Sequence, residues 1–463
     1  MGGLSAYRAR LDGLLAELAG EHRVPGAACG VLLGGEQHVA TTGVANVATG
    51  VPVTPDTLFQ LGSLTKVYTA SLVLQAQAAG VVSLDEPVRA QLQEFMVADP
   101  GATIEITPRH LLTHTSGIEG DHLIDTGWNP DALQRYVATL AGLGQIHATD
   151  EAYSFCNTGY AVVGRLLEVA TGEHFDRVLR RRLTRPLGCP ATLTLPQHAL
   201  LHRVAVGHVQ APGAEPVRQS RWSLTRSNGP MGGVLAPAGE VLAFARLHLD
   251  EGRAATGGGD LLAPADVAAM QRPHVEAALP GEHQALGWTV RRWGDLTVLG
   301  QDADTFGQRA VLRVIPERDM ALCVLTNSPP GGALAQELLG CLAGDLLDVP
   351  PGADPADLPA APAALDPGPD LAAHPGVYER LHQRIVARRD RDGLVLATEP
   401  SGVLQALGVR GTDLPLSPVT AEGTVFSLTD PTGGTHEHAV FVGPPAAPPT
   451  GLYLAGRLHR RIA

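Results

Sequence analysis

A serine and a lysine three residues apart, in Gly62-Ser63-Leu64-Thr65-Lys66, are the first residues in this chain whose types and spacing suggest chemistry. Lys66 is the sole lysine among 34 basic residues; all the others are arginine. A guanidinium stays charged at any usable pH, whereas a lysine amine can lose its proton when desolvated. One helical turn from a serine hydroxyl, such an amine is a candidate general base for a nucleophile. The bland alternative is a helix-capping serine followed by a surface lysine. Against it stands the next stretch, Val67-Tyr68-Thr69-Ala70-Ser71-Leu72-Val73-Leu74, apolar almost all round and therefore expected to be a buried helix. A helix starting near Ser63 puts the hydroxyl at the positive end of the dipole and Lys66 on the same face. Burial then lowers the lysine pKa.

Leu58-Phe59-Gln60-Leu61-Gly62-Ser63-Leu64-Thr65-Lys66 resembles the first motif of the active-serine enzymes that include class C β-lactamases, penicillin-binding DD-peptidases and related esterases and transacylases. Further phrases follow in the same order. Thr107 to Gly117 is similar to the family's loop after its first helix, and Ser154-Phe155-Cys156-Asn157-Thr158-Gly159-Tyr160 stands at its Tyr-x-Asn motif. Pro230 to Val234, Val314 to Asp319 and Leu325-Thr326-Asn327 resemble later segments, so the likeness runs from about residue 10 to 345. It implies Ser63 as nucleophile, Lys66 as base, Asn157 orienting the lysine or the substrate, and an oxyanion hole from the backbone N–H groups of Ser63 and Asp304. Two positions depart from the family. Phe155 replaces the tyrosine, and Gln301-Asp302-Ala303 stands where Lys-Thr-Gly or His-x-Gly is usual. Phenylalanine relays no proton, and Tyr153, two residues earlier, serves in its place only after a shift of register. Glutamine donates a hydrogen bond but carries no charge, which disfavours an anionic β-lactam as substrate. Phe155, Tyr153, Gln301 and Thr305 are the expected substrate contacts.

These residues need a frame. Leu4, Leu11, Leu14, Leu15 and Leu18 have helical spacing; Ala27 to Leu33 and His38 to Val44 read as a strand hairpin. From about 63 to 275 the pattern is mostly helical. Strands return at Leu286 to Arg291, Leu296 to Leu299, Gln308 to Val314 and Met320 to Thr326, before a helix through Leu334 to Leu347. Early and late strands around a helical middle predict one sheet built from both ends of a domain, with a site in the cleft. A Pro/Ala/Asp-rich linker follows, and then short strands around Asp390-Arg391-Asp392-Gly393, a hairpin signal. The expected fold is therefore α/β (α+β): a β-lactamase/DD-peptidase-like sandwich with a central antiparallel sheet and helical insertion over 1–348. A linker at 349–371 and a small all-β, barrel-like domain over 372–463 complete it. Pro375-Gly376-Val377-Tyr378-Glu379-Arg380 resembles the opening of the lipocalin-like domain found in some members, among them penicillin-binding-protein-type thioesterases that cyclise peptides.

Composition narrows the function classes. A net charge of −13 argues against nucleic acid and anionic membranes as partners. The five arginines between Arg177 and Arg185 read as a solvated helix face. Five scattered cysteines make disulfides and zinc improbable. The pairs His110/His114 and His198/His202 lack the glutamate of a metalloprotease helix, Thr256-Gly257-Gly258-Gly259 lacks a phosphate-loop lysine, and no cofactor or metal is expected. His114 reads as a loop anchor. With no signal-peptide pattern and no apolar run long enough to span a membrane, the expected location is the cytoplasm. The sequence thus points to acyl transfer through an acyl-enzyme on an amide, ester or thioester. The family branch implies a small-molecule or peptidyl acyl substrate, the latter delivered by a carrier protein, and leans to transacylation or cyclisation. A hydrolase (esterase or D-amino-acid peptidase) is the alternative within the family, and a non-catalytic binding protein the alternative outside it.

Overall fold

The computed structural model describes residues 4–210, 214–222, 224–255, 257, 259–349, 370–390, 393–406, 409–420, 422–429, 436–444 and 447–463. A nine-stranded antiparallel sheet forms its centre, in the spatial order 51–52, 36–46, 26–33, 320–326, 308–315, 296–305, 289–293, 283–284, 275–276. The first long strand, Gly26–Leu33, pairs directly with Met320–Thr326, with Ala27 opposite Thr326 and Leu33 opposite Met320. Both ends of the domain thus meet at mid-sheet. These two strands are apolar at nearly every position because both faces are covered.

On one face lie the terminal helices Leu4–Glu21 and Gly331–Leu347, whose Leu11, Leu15, Leu334 and Leu338 share a core with Val31 and Leu322. Helices Thr65–Ala78, Asn157–Thr171 and Ala238–Leu249 cover the other face and bury Val67, Tyr68, Leu166 and Phe244. The helix Thr65–Ala78 is thereby packed between sheet and helical layer, which is why its sequence is apolar on every side.

Two strands differ from the sequence expectation. The one expected from Leu286 begins only at Thr289, because Gly287 sits at φ +88°, and a Cβ there would lie 2.8 Å from Cβ of Ala70 on the helix Thr65–Ala78. The one expected to end at Leu299 continues to Thr305. Its polar half stays in the ladder because Arg313 and Arg309 on the neighbouring strand pair with Asp302 and Asp304.

The C-terminal strands, from Gly376–Arg380 to Arg457–Arg461, close into an eight-stranded barrel in sequential order, with Tyr378, Ile385, Leu396, Phe426, Phe441 and Leu452 filling it. Closure removes the sheet edges that so short a β segment would otherwise expose. Most of the expected linker, 350–369, lies outside the described residues, as do Arg391 and Asp392 of the hairpin and Thr256 and Gly258 of the glycine run. The barrel docks on the larger domain through Val425, Val440, Tyr453 and Leu458, packed against Tyr153. Tyr453 Oη donates to Tyr153 O at 2.7 Å, and Phe155 N donates to Gly456 O at 3.0 Å.

Candidate active site

Ser63 lies in a single 3-10 turn, Gly62–Leu64, and the α-helix proper starts at Thr65. In 3-10 geometry residues i and i+3 eclipse, so this turn stacks the Ser63 and Lys66 side chains. Gly62 is required here. It has φ +49°, and a Cβ would fall 2.8 Å from Asp304 O and 3.3 Å from Ala303 Cβ. That close approach brings the end of the strand Leu296–Thr305 against the Gly62–Leu64 turn, and by strand alternation Gln301, Ala303 and Thr305 share the face turned toward Ser63. Gln301 is buried, and the Thr305 hydroxyl is buried without a hydrogen-bond partner among the described residues.

Lys66 is 1% exposed, while Ser63 is only half-buried. The Lys66 Nζ has three oxygen neighbours: Ser63 Oγ at 3.0 Å, Asn157 Oδ1 at 2.7 Å and Met231 O at 2.9 Å. Two of these are carbonyl oxygens, which only accept, and the third is a hydroxyl that can accept or donate. When the amine loses a proton, its two remaining N–H bonds stay on the carbonyls and its lone pair faces the serine. Deprotonation therefore reverses one hydrogen bond, the one to Ser63. Burial, seconded by the nearby Arg457 guanidinium, lowers the Lys66 pKa from 10.5 to about 7, with Asp121, Cys156 and Asp304 opposing.

Asn157 opens the helix Asn157–Thr171, which Cys156 caps through Sγ and which ends at Gly172 in the left-handed conformation, φ +69°. The asparagine donates from Nδ2 to Asp121 Oδ1 at 2.9 Å. Arg457, at the barrel's edge, donates to the same carboxylate from Nε at 2.6 Å and from Nη2 at 3.2 Å. It reaches the site because strands Gly451–Leu454 and Arg457–Arg461 are joined by the two residues Ala455 and Gly456, both at positive φ, a tight hairpin whose tip abuts Phe155.

Phe155 lies where the resemblance leads one to expect the family's phenol. Its ring centroid is 4.7 Å from Lys66 Nζ and 4.8 Å from the Arg457 guanidinium carbon. Tyr153 does not take over the missing hydroxyl. It is buried in the interdomain cluster beside Tyr453, and the three oxygen neighbours of Lys66 belong to other residues. Its expected place as a substrate contact is corrected accordingly: the barrel, absent from any local reading of the motif, claims the ring. His114, at φ +61°, accepts a hydrogen bond from Cys156 N at 3.0 Å, as suits a loop anchor. Asp121, Arg380 and Arg457 escaped the sequence reading. Arg457 had one legible signal, the two-residue hairpin, but nothing local told where its tip would dock.

The described residues contain no group of three or more His, Cys, Asp or Glu arranged to hold a metal ion, and no helix among them is long and apolar enough to cross a membrane. All five cysteines are free.

The Beta-lactamase family model matches residues 11–339, which include Ser63, Lys66, Asp121, Phe155, Asn157 and Gln301 but not the barrel. The chain belongs to that family. This β-lactamase-family chain is 42% identical over 370 residues to penicillin-binding protein 4 of Amycolatopsis lactamdurans, a match spanning 78% of this chain and 94% of the relative. It is also 42% identical over 200 residues to the esterase EstB of Burkholderia gladioli, covering 40% of this chain and 50% of that one. Among solved structures, SurE aligns over 99% of this chain and 100% of its own, with 30% identity and a TM-score of 0.78; its complex with D-Leu gives 0.74. The barrel is thus shared with a relative over the full chain. A serine hydrolase or acyltransferase of this family is what the motifs, the fold and these relatives agree on.

Proposed function

We propose that this protein is a serine transacylase that passes an acyl or peptidyl group from an ester, thioester or amide to a bound amine or alcohol, rather than chiefly to water. The observation that carries the reading is the buried, low-pKa Lys66 amine 3.0 Å from Ser63 Oγ, with the Phe155 ring, which relays no proton, beside it. In acylation, Ser63 Oγ forms a bond to the substrate carbonyl carbon as its proton passes to Lys66. The oxyanion is held by the N–H groups of Ser63 and Asp304, a contribution that in other enzymes is worth about 3 to 4 kcal/mol. The leaving group takes the proton from Lys66 as its bond to carbon breaks. In the second half, an acceptor amine gives its proton to Lys66 and displaces Ser63, which recovers its own.

Water would need the same lysine but would lack the positioning that a bound acceptor supplies. The substitutions at Phe155 and Gln301 remove side chains that could polarise water, and this supports the preference for a bound acceptor. Gln301 and Thr305 flank the acyl group in this reading. The D-Leu complex of a full-length relative supports an acyl or acceptor group of D-amino-acid size. The sequential closed barrel supports the lipocalin-like, peptide-cyclising branch, and in this reading, by resemblance to that branch, a carrier protein in the cytoplasm presents the acyl group. The test is partition of the Ser63 acyl-enzyme, formed from an activated ester or thioester, between water and added D- and L-amino-acid amines. Aminolysis product rising with amine, most strongly with the D-series, is expected; hydrolysis alone at every amine concentration defeats the proposal.

A further inference from the structure

Asp121 touches neither Ser63 nor Lys66 through any hydrogen bond, yet the site's geometry converges on it. Its side chain is 4% exposed and meets three cations or dipoles: Asn157 Nδ2 at 2.9 Å, Arg457 Nε at 2.6 Å and Arg380 Nη2 at 3.0 Å. Both arginines come from the barrel. Arg380 is itself held by Glu119, Nη1 to Oε1 at 2.9 Å, and the other Glu119 oxygen accepts from Leu381 N at 3.0 Å. Burial alone would raise the Asp121 carboxyl, but Arg457 and Arg380 overrule it and hold it well below the usual carboxylate range.

An ionised carboxylate only accepts hydrogen bonds. It therefore fixes which end of the Asn157 amide faces it: the NH2 group turns to Asp121, and the carbonyl oxygen must turn to Lys66. A flipped amide would set oxygen against carboxylate and N–H against the lysine N–H at once. Building on the acyl-transfer reading above, we propose that Asp121, clamped by Arg380 and Arg457 of the barrel, is a positioning residue that orients the Asn157 amide and through it aims the Lys66 lone pair at Ser63. The barrel is then part of the catalytic centre. An undocked barrel leaves Asp121 without its cations and the base without its guide.

The charged and titratable groups facing Lys66 are Arg457 from the barrel, Asp121 and His114 from the preceding loop, Cys156 at the helix start, Tyr160 on that helix and Asp304 on the strand. Removing the negative charge of Asp121 disfavours the ammonium form. The acid limb of Ser63 acylation therefore moves to lower pH in Asp121→Asn, a change that a purely structural role would not give. The experiment measures labelling of the full chain by a fluorophosphonate, by intact mass across pH. Expected for Asp121→Asn is a maximal rate reduced by about tenfold or more, with that downward shift of the limb. In an Asn157→Ala background the same substitution should cost little further, because the two residues act in series. An unchanged rate and limb, or an equal penalty in both backgrounds, overturns the proposal. Arg380→Lys is the second variant: it keeps the buried charge but loses the fork that spans Glu119 and Asp121. Slower labelling by folded Arg380→Lys supports the proposal, and wild-type labelling overturns it. An unlabelled wild type would instead sink the acyl-transfer reading on which this inference rests.

Discussion

Because Lys66 is the only lysine in the chain, its protonation can be read without interference. Burial first, and Arg457 second, bring its pKa from 10.5 to about 7. That difference is worth roughly 5 kcal/mol between the two protonation states. At pH 7 about half of the enzyme then carries a free base, against roughly one molecule in three thousand for an unperturbed lysine. If Lys66 takes the Ser63 proton, the labelling rate should rise nearly tenfold from about pH 6 to 8 and then level off. The assay is pseudo-first-order labelling by a fluorophosphonate or activated ester, followed by intact mass. Beside it, the single resonance of protein grown with ε-13C-lysine is titrated over the same range. Both midpoints should coincide near 7. A resonance titrating near 10.5, or a rate still climbing tenfold per pH unit above about 9, refutes the argument that burial prepares the base. The stability linkage has a definite sign. The folded pKa lies below the unfolded one, so the unfolded chain binds more protons between about 7 and 10.5, and this group makes stability rise with pH across that window.

Lys66→Arg keeps a cation and removes the base, so acylation of Ser63 should fall by about a thousandfold or more, with intact mass and a thermal melt separating lost chemistry from lost fold. Arg457→Gln removes a positive charge near Lys66 and should move the labelling midpoint to higher pH, lowering the rate at pH 7; an unmoved midpoint would show that the barrel cation is not felt at the site. Arg380→Met strands the buried Glu119, whose side chain is 3% exposed, and should cost about 3 to 5 kcal/mol in urea unfolding. Phe155→Tyr restores a phenol close to Lys66 and should raise the share of acyl-enzyme lost to water, measured as the hydrolysis-to-aminolysis ratio at fixed amine.

Much of the site was legible in the residues themselves. Ser63 and Lys66 are joined by local helical geometry, and the apolar run from Val67 onward announced the burial that lowers the amine's pKa. The match of early and late strands followed from period and order, since an apolar strand at each end of a domain must find cover on both faces. Gln301 was legible as a departure, but its place on a strand was not: three of the four residues from Gln301 to Asp304 are polar, and arginines of both neighbouring strands pair with the two aspartates that stand in the ladder.

What the sequence by itself determined, then, is a short-range pair and a periodic frame, because spacing along a helix or strand fixes which neighbours share a face. The tertiary structure alone decided that Arg457, 391 residues after Lys66, would stand over Phe155 and beside Asp121, that Tyr153 would be spent on the domain interface, and that Asp121 would face Asn157. Those contacts depend on how two separately closed cores dock. Docking is set by surface shape and by buried charges that are neutral only in each other's company, which no local pattern of residues encodes.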